Sequence, residues 1–277
     1  MLEPEIYKTD TTGKTRTWRL EIQDNKFRTI AGILGGALVT SGWKVCKGKQ
    51  GRSDNEQATF EAAAKYENKL TREYHRDVKA IVQGAHFFKP MLAKEYKTFP
   101  GYCFAQPKLD GIRCIANRDG LHSRQGKPIM GVPHIFDALQ EFFDDHPDAV
   151  LDGELYNHEL RDDFGEISSI VWKKEPSRAQ VEKARSIIQY HVYDMPSYAH
   201  DFGIRMAVLS NQLEADDSIC IVPTAEITTE AGLDTFYEDL LAAGYEGQMV
   251  RLDKPYDQKR SGSLLKRKEF HGSERTL

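Results

Sequence analysis

A lysine, an aspartate, a glycine and an arginine crowd into six residues at Lys108, Asp110, Gly111 and Arg113, within the stretch FAQPKLDGIRC at 104–114. A lysine amine is normally protonated; it becomes a nucleophile when desolvation and nearby cations favour its neutral form. Arg113 would share a strand face with other site residues and keep a permanent positive charge nearby. Gly111 permits close approach of backbone or ligand. Asp110 would orient the amine or a metal-bound water. A surface hairpin turn explains Asp-Gly well, but it does not explain the residues that follow.

Those residues carry a resemblance. Lys-x-Asp-Gly-x-Arg resembles the nucleotidylation motif of the covalent nucleotidyltransferases, which include ATP-dependent DNA ligases, RNA ligases and mRNA-capping enzymes. Further elements stand in the family's order. HSRQGKP at 122–128 resembles the Ser-Arg-x-Gly element, with Arg124. LDGELY at 151–156 resembles the next, with Asp152 and Glu154, and HVYDM at 191–195 the aromatic-Asp element, with Tyr193 and Asp194. YEGQMVR at 245–251 carries Glu246, and LLKRKEF at 264–270 carries Lys266 and Lys268. KPMLAKEY at 89–96 is similar to the segment leading into DNA-ligase adenylation domains.

The resemblance implies an enzyme that uses ATP and Mg²⁺ (or Mn²⁺) to seal nicked duplex DNA through a Lys108–AMP phosphoramidate. Attack on an α-phosphorus needs the triphosphate's charge neutralised. Glu154 and Glu246 are expected to hold the divalent metal, since hard oxygen ligands suit Mg²⁺; Glu154 is placed at the sugar as the other role. Lys266 and Lys268 alternate along a strand and would both reach the α-phosphate. Tyr193 is expected to stack on the purine. Arg124 is expected at the ribose or at the 5′-phosphate of the nicked strand. Gln106 and Arg113 are placed among the nucleotide-binding residues. DNA ligases usually carry glutamate where Gln106 stands; an amide both donates and accepts, whereas a carboxylate only accepts. Adenine remains the expected base.

These residues need a frame, and the patterning predicts an α+β one: a nucleotidyltransferase domain of antiparallel sheets flanked by helices over 86–277, preceded by a small sheet-plus-helix domain over 1–85. In the small domain TWRLEIQ at 17–23, residues 27–31 and ALVTSGWKVCK at 37–47 read as strands, with Gly32, Gly35 and Gly36 at a bend. Ser53 and Glu56 have capping-box spacing and open a helix over about 54–75. A boundary is expected near Gly84 and Pro90. Downstream, single helices are expected over HIFDALQEFFDDH, GEISSIVWKK, SRAQVEKA, FGIRMAVLSNQL and LDTFYEDLLAAG, the last closed by Gly244. Strands are expected around Lys108 and Arg113 and in AVLDGELY, SIIQYHVYDM, SICIV, GQMVRL and SLLKRKEF.

Composition excludes several classes. The 277 residues suffice for two domains, and 40% hydrophobic with 29% charged residues is ordinary for a soluble globular protein. No apolar run approaches the ~20 residues of a membrane span, the start has no signal-peptide pattern, and no Gly-x-x-x-x-Gly-Lys motif marks a P-loop. The 4 cysteines are scattered, which fits a reducing cytoplasm and no zinc site. The net charge of −4 divides into +4 over 1–85 and −8 over 86–277. A basic segment on an acidic body points to a polyanionic partner. GWKVCKGKQGR is loosely reminiscent of WGR-type nucleic-acid-binding modules; Lys44, Lys47, Lys49 and Arg52 are expected at phosphates, with Trp43 stacking or packing as core.

The chain ends at Leu277, 7 residues after KRKEF, so the OB-fold that follows in DNA ligases and capping enzymes is expected to be absent. The expected function is an ATP-dependent DNA ligase of the small phage or viral type, acting as a monomer without a membrane. The alternatives are an RNA ligase of the same superfamily and a non-catalytic nick-binding remnant.

Overall fold

The computed structural model describes residues 4–10, 13–70, 74–78 and 88–268. The chain folds as two compact units, Met1–Phe87 and Phe88–Leu277. The expected boundary at Gly84, helix residues 71–73 and the strand end at Glu269 and Phe270 lie outside the described residues.

In the first unit, β1 (Ile6–Thr9), β2 (Thr15–Gln23), β3 (Lys26–Ile33), β4 (Leu38–Thr40) and β5 (Lys44–Val45) form one antiparallel sheet. Alternation on β2 sends Trp18, Leu20 and Ile22 into a core with Ala58, Ala62 and Tyr66 of helix α1 (Asp54–Leu70). The predicted capping box forms: Ser53 N–H donates to Glu56 Oε2 at 2.8 Å, and Glu56 N–H donates to Ser53 Oγ at 3.4 Å. The single strand expected over 37–47 is instead two short ones. Ser41 Oγ accepts the Thr29 N–H at 2.9 Å, so a side chain takes the place of a backbone acceptor where β4 stops.

The second unit holds two five-stranded sheets. Its strands are β6 (Leu92–Glu95), β7 (Cys103–Lys108), β8 (Ile112–Asn117), β9 (Gly120–Ser123), β10 (Leu151–Tyr156), β11 (Gln189–Asp194), β12 (Ile219–Ile221), β13 (Ala225–Ile227), β14 (Gly247–Arg251) and β15 (Arg260–Lys268). One sheet runs β12-β11-β10-β8-β9 and the other β13-β7-β14-β15-β6. The expectation of wholly antiparallel sheets is corrected at two edges: β11–β12 and β15–β6 pair in parallel. The first follows from a helical crossover, since the helix Phe202–Gln212 lies between β11 and β12.

Five helices cover the first sheet: α2 (Pro133–Ala138), α3 (Gln140–Asp145), α4 (Phe164–Val171), α5 (Arg178–Ile187) and α6 (Phe202–Gln212). Ile135, Leu139, Phe143, Ile167, Val171 and Leu209 pack there against Cys114, Leu151, Leu155 and Val192. Helix α7 (Glu230–Ala242) lays Leu233 on Cys103, Ala105 and Val250 of the second sheet. The helix expected across HIFDALQEFFDDH is interrupted at Leu139, a turn residue (φ −93°, ψ −2°) at the edge of the helical region, whose side chain stays fully buried. Helix α4 stops at Val171, short of the expected end; Trp172 is its non-helical cap. Gly244 closes α7 at φ +87°, as its position in the sequence predicts.

His191 on β11 is held neutral by burial, which lowers its pKa to about 4, with His158 adding to the effect. The unfolded chain therefore binds this proton more readily. Stability from this group is complete above pH 6.5 and is lost as the pH falls toward 4. Denaturant unfolding of His191→Gln should lose about 2 kcal/mol less than the wild type between pH 7 and pH 4, part of the full shift being screened by water.

Candidate active site

Lys108 is the last residue of β7 in the second sheet, and Arg113 lies on β8 in the first. Leu109–Asp110–Gly111 is therefore a crossing between sheets, not the tip of a hairpin. A Cβ on Gly111 would run into Leu155 O and come within 2.9 Å of Glu154 Cγ. The glycine is needed because the chain passes against β10 at backbone distance. The turn thus binds the lysine to the strand that carries Glu154.

Register sets the lysine's neighbours. Gly247 of β14 lies opposite both Lys108 on β7 and Lys268 on β15, and Met249 lies opposite both Gln106 and Lys266. Period-2 alternation gives one sheet face bearing Gln106, Lys108, Lys266 and Lys268. Gly247 places no side chain between the two outer lysines. The adjacent Glu246 fills that space: one carboxylate oxygen pairs with Lys108 Nζ, and the other lies 3.9 Å from Lys268 Nζ. Lys266 pairs with Glu95 at 2.9 Å, which lowers the Glu95 pKa.

The facing wall comes from the first sheet. Arg113 lies opposite Glu154 in the β8–β10 ladder and forks onto Asp152 through Nε at 2.9 Å and Nη2 at 2.6 Å. Tyr256 donates to the same carboxylate at 2.6 Å. The Arg113 charge is thus fixed in place by fully buried Asp152. Tyr193 donates weakly to Glu154 at 3.4 Å, and the guanidinium carbons of Arg113 and Arg251 lie 5.7 and 5.3 Å from its ring centroid. Burial pushes the Glu154 carboxyl up to about 8, against the opposing pull of Arg113.

A charged joint ties the two walls together. Asp194 on β11 accepts from Arg205 Nε at 2.7 Å and Nη2 at 3.0 Å, and from Arg251 Nη1 of β14 at 2.7 Å. Arg251 Nε donates to Gln106 Oε1 at 2.7 Å, and Gln106 Nε2 donates to Thr224 Oγ1 at 2.9 Å and to Tyr193 O at 3.3 Å. The buried Gln106 amide has its oxygen and its nitrogen engaged by protein. Gln106, expected as a nucleotide contact, lines the cavity and also bonds Arg251 and the Tyr193 carbonyl.

A second clasp lies beside Glu246. His158 follows β10 and bonds the Tyr156 hydroxyl through Nδ1 at 2.8 Å and Ala243 O through Nε2 at 2.9 Å. Tyr245 packs on the His158 ring with centroids 4.4 Å apart. Neither the joint nor this clasp is legible in the sequence; His158 and Tyr245 border recognised motifs, but only pairing shows that they meet.

Between the sheets lies a cavity of about 780 Å³, lined by Gln106, Lys108, Arg113, Arg124, Glu154, Tyr193 and Lys266 among others. Arg124 is exposed on the turn after β9, where Ser123 Oγ accepts the N–H groups of Gln125 and Lys127 at 3.3 and 3.1 Å. Asp110, expected near the amine, is exposed and does not line this cavity. Lys268 also falls outside the lining and lies 3.9 Å from Glu246. Among the described residues no group of three or more His, Cys, Asp or Glu gathers to hold a metal. Glu154 and Glu246 are two carboxylates, a number that suits Mg²⁺ shared with phosphate oxygens. The raised Glu154 pKa marks a carboxylate whose charge the protein only partly balances, which fits an added cation.

In the first unit the basic residues divide. Lys44 pairs with Glu61 at 2.7 Å, and Arg52 bonds Gln57 and Gln50 while lying 4.2 Å over the Phe60 ring. Both are therefore partnered within the unit, Lys44 while still largely exposed. Lys47 and Lys49 are exposed. Trp43 stays out of the core; Lys26 Nζ and the Arg28 guanidinium lie 5.0 and 4.4 Å from its ring centroid.

Asp194→Ala leaves Arg205 and Arg251 buried without their shared anion. Urea unfolding should show a loss of about 3–5 kcal/mol, and Asp194→Asn a smaller one.

Comparison with known proteins places these elements. The family model described as the ATP dependent DNA ligase domain matches residues 85–268. A DNA ligase of Haemophilus influenzae is 28% identical over 199 residues, covering 68% of this chain and 66% of the relative, so the chain spans just under two thirds of that protein's length. A Lig E DNA ligase structure, from work on DNA binding with a minimal scaffold, aligns with TM-score 0.52 and 26% identity over 65% of this chain and 68% of that one. The Chlorella virus DNA ligase-adenylate aligns with the same TM-score, identity and shares. The bacteriophage T7 ATP-dependent DNA ligase in complex with ATP, 18% identical at TM-score 0.52 over 66% of this chain and 69% of that one, shares the fold. With more than half its length matched by that model, the chain belongs to the ATP-dependent DNA ligase domain family.

Proposed function

We propose that this protein seals 5′-phosphate/3′-hydroxyl nicks in duplex DNA, using ATP and passing through a Lys108–AMP intermediate. The observation that carries the reading is the cavity that gathers Lys108 and Lys266 with Glu154, Arg113 and Tyr193, with Glu246 pairing Lys108 from just outside it. Two carboxylates and several cations around a lysine amine suit a phosphoanhydride, whose charge must be offset while nitrogen attacks phosphorus.

The residues divide the work. Glu246 holds the Lys108 amine at the end of β7 and is itself balanced by Lys268. The Lys108 nitrogen forms a bond to the α-phosphorus, the bond to pyrophosphate breaks, and the amine proton leaves to solvent. Lys266 lines the cavity and is placed for the α-phosphate. Tyr193, steadied by Gln106 through its carbonyl, offers its ring to adenine. Glu154 and Glu246 would hold Mg²⁺, which orients the phosphates and neutralises their charge when bound. The AMP then passes to the 5′-phosphate of the nick, and the 3′-hydroxyl displaces it. Arg124, at the exposed end of the cavity, is placed to meet the strand.

The first unit is assigned to DNA contact. Its balance of +4 and the exposed Lys47 and Lys49 support this part of the reading. A single chain acting as a monomer completes it. Among the described residues no helix is long and apolar enough to cross a membrane.

Intact-mass measurement after incubation with ATP and Mg²⁺ should show one added AMP, lost in Lys108→Ala. A GMP adduct from GTP would move the reading to capping. Absence of any adduct, with a preadenylated nick bound but left unsealed, would make the chain a binding remnant. A requirement for ribonucleotides at the 3′-hydroxyl side would make it an RNA ligase. Separately, Lys47→Ala with Lys49→Ala should weaken nicked-DNA binding across sequences and reduce the log–log salt slope by roughly 2. An unchanged slope would remove those lysines from the DNA contact.

A further inference from the structure

Trp172 lines the same cavity as Lys108 and has no role in the nucleotidyl transfer as assigned above. It is the non-helical cap of α4 and is 42% exposed, while Ile167 and Val171 just before it are fully buried. The helix end is therefore anchored and the indole is presented from a fixed base. The opposing chain is equally fixed. A Cβ on Gly131 would run into Ile170 O and lie 2.6 Å from Val171 O, so residues near 131 pass the last turn of α4 at backbone distance. Residue 131 lies between buried Ile129 and Val132, just beyond the turn that carries Arg124 and Lys127. Trp172 and that turn thus share one rigid support.

The other two tryptophans are occupied. Trp18 is 5% exposed and meets Tyr66 and Tyr74, and Trp43 has the Lys26 and Arg28 cations against its ring. Among the described residues the Trp172 indole makes no ring contact, no cation–ring contact and no hydrogen bond. Arg124 and Lys127 share its cavity, are exposed and have no acidic partner among the described residues. Lys173 and Lys174 follow it, also exposed. An open aromatic face among unpaired cations is the arrangement that holds a nucleic-acid strand, with cations at phosphates and the ring against a base.

We propose that Trp172 is the stacking platform for the terminal base of the 5′-phosphorylated strand, with Arg124 and Lys127 at that strand's phosphates. The inference rests on the nick-sealing reading and assigns a substrate-strand subsite beside the nucleotide cavity. Tyr193 serves the purine of ATP, and Trp172 serves the DNA.

The test uses the full chain with Trp172→Ala and Trp172→Phe. Lys108–AMP formation and the KM for ATP should match the wild type in both. The KM for a nicked duplex should rise about tenfold in Trp172→Ala and largely recover in Trp172→Phe, which keeps a flat ring. A nick whose 5′-phosphorylated terminal residue is abasic should cost the wild type the same factor and cost Trp172→Ala little more, since the ring and the base are then partners. A rise in the ATP KM would put the ring on ATP and overturn the assignment. Independent, multiplying effects of the two changes would also overturn it. A wild type that seals nicks while Trp172→Ala seals them with unchanged KM removes this inference alone. A wild type that neither takes up AMP nor seals removes the ligase reading with it.

Discussion

The cavity depends on one buried anion. Asp194 is fully buried, and its carboxylate binds two arginines that are themselves 1% and 4% exposed. Removing three charges from water is costly, and their mutual attraction offsets that cost only when the remaining donors are also satisfied. Here they are: Arg205 also donates to His200 O and Lys254 O, and Arg251 to Gln106. Because Asp194 belongs to one sheet and Arg251 to the other, this satisfaction requires the sheets to meet in one register. An apolar joint would tolerate sliding, whereas a directional hydrogen bond from Arg251, whose other nitrogen is held by Gln106, does not.

The second constraint lies where the chain crosses between sheets. The Gly111 backbone passes against Leu155, and the His158 ring ties the end of β10 to the turn before β14. Glu154 on β10 and Glu246 in the turn before β14 therefore belong to segments fastened to each other near both residues. Two carboxylates held this way repel unless cations stand between them. Lys108 and Lys268 supply that charge for Glu246, while Glu154 keeps a raised pKa. The two acids thus differ: Glu246 is paired with lysines, while burial outweighs the pull of Arg113 and Lys108 on Glu154 and keeps its pKa raised.

What is legible in the sequence follows from locality. Lys266 and Lys268 share a face because strand alternation is a two-residue rule, and the Ser53 box needs only three residues of separation. The order of motifs carries the cavity lining the same way. Contacts across long separations are hidden: Arg251 meets Gln106 and Asp194 through register, and no local pattern encodes register. The charge of Lys44 and Arg52 is visible in the sequence and suggests phosphate contacts, whereas their partners Glu61 and Gln57, on the next helix, emerge only once that helix packs. Asp110 is adjacent to the amine in sequence, yet the crossing between sheets leaves it exposed.

The same joint explains the departure at Gln106. The family resemblance leads one to expect glutamate two residues before the nucleophile. In this chain that side chain must accept from Arg251 and also donate to Thr224 Oγ1 and Tyr193 O. A carboxylate would accept from Arg251 but face the Tyr193 carbonyl with no hydrogen to offer, beside an Asp194 that already balances the same arginine. The amide meets both demands and adds no charge to the joint. Gln106 is thus set by the network behind Tyr193, and an amide is the side chain that lets that network close.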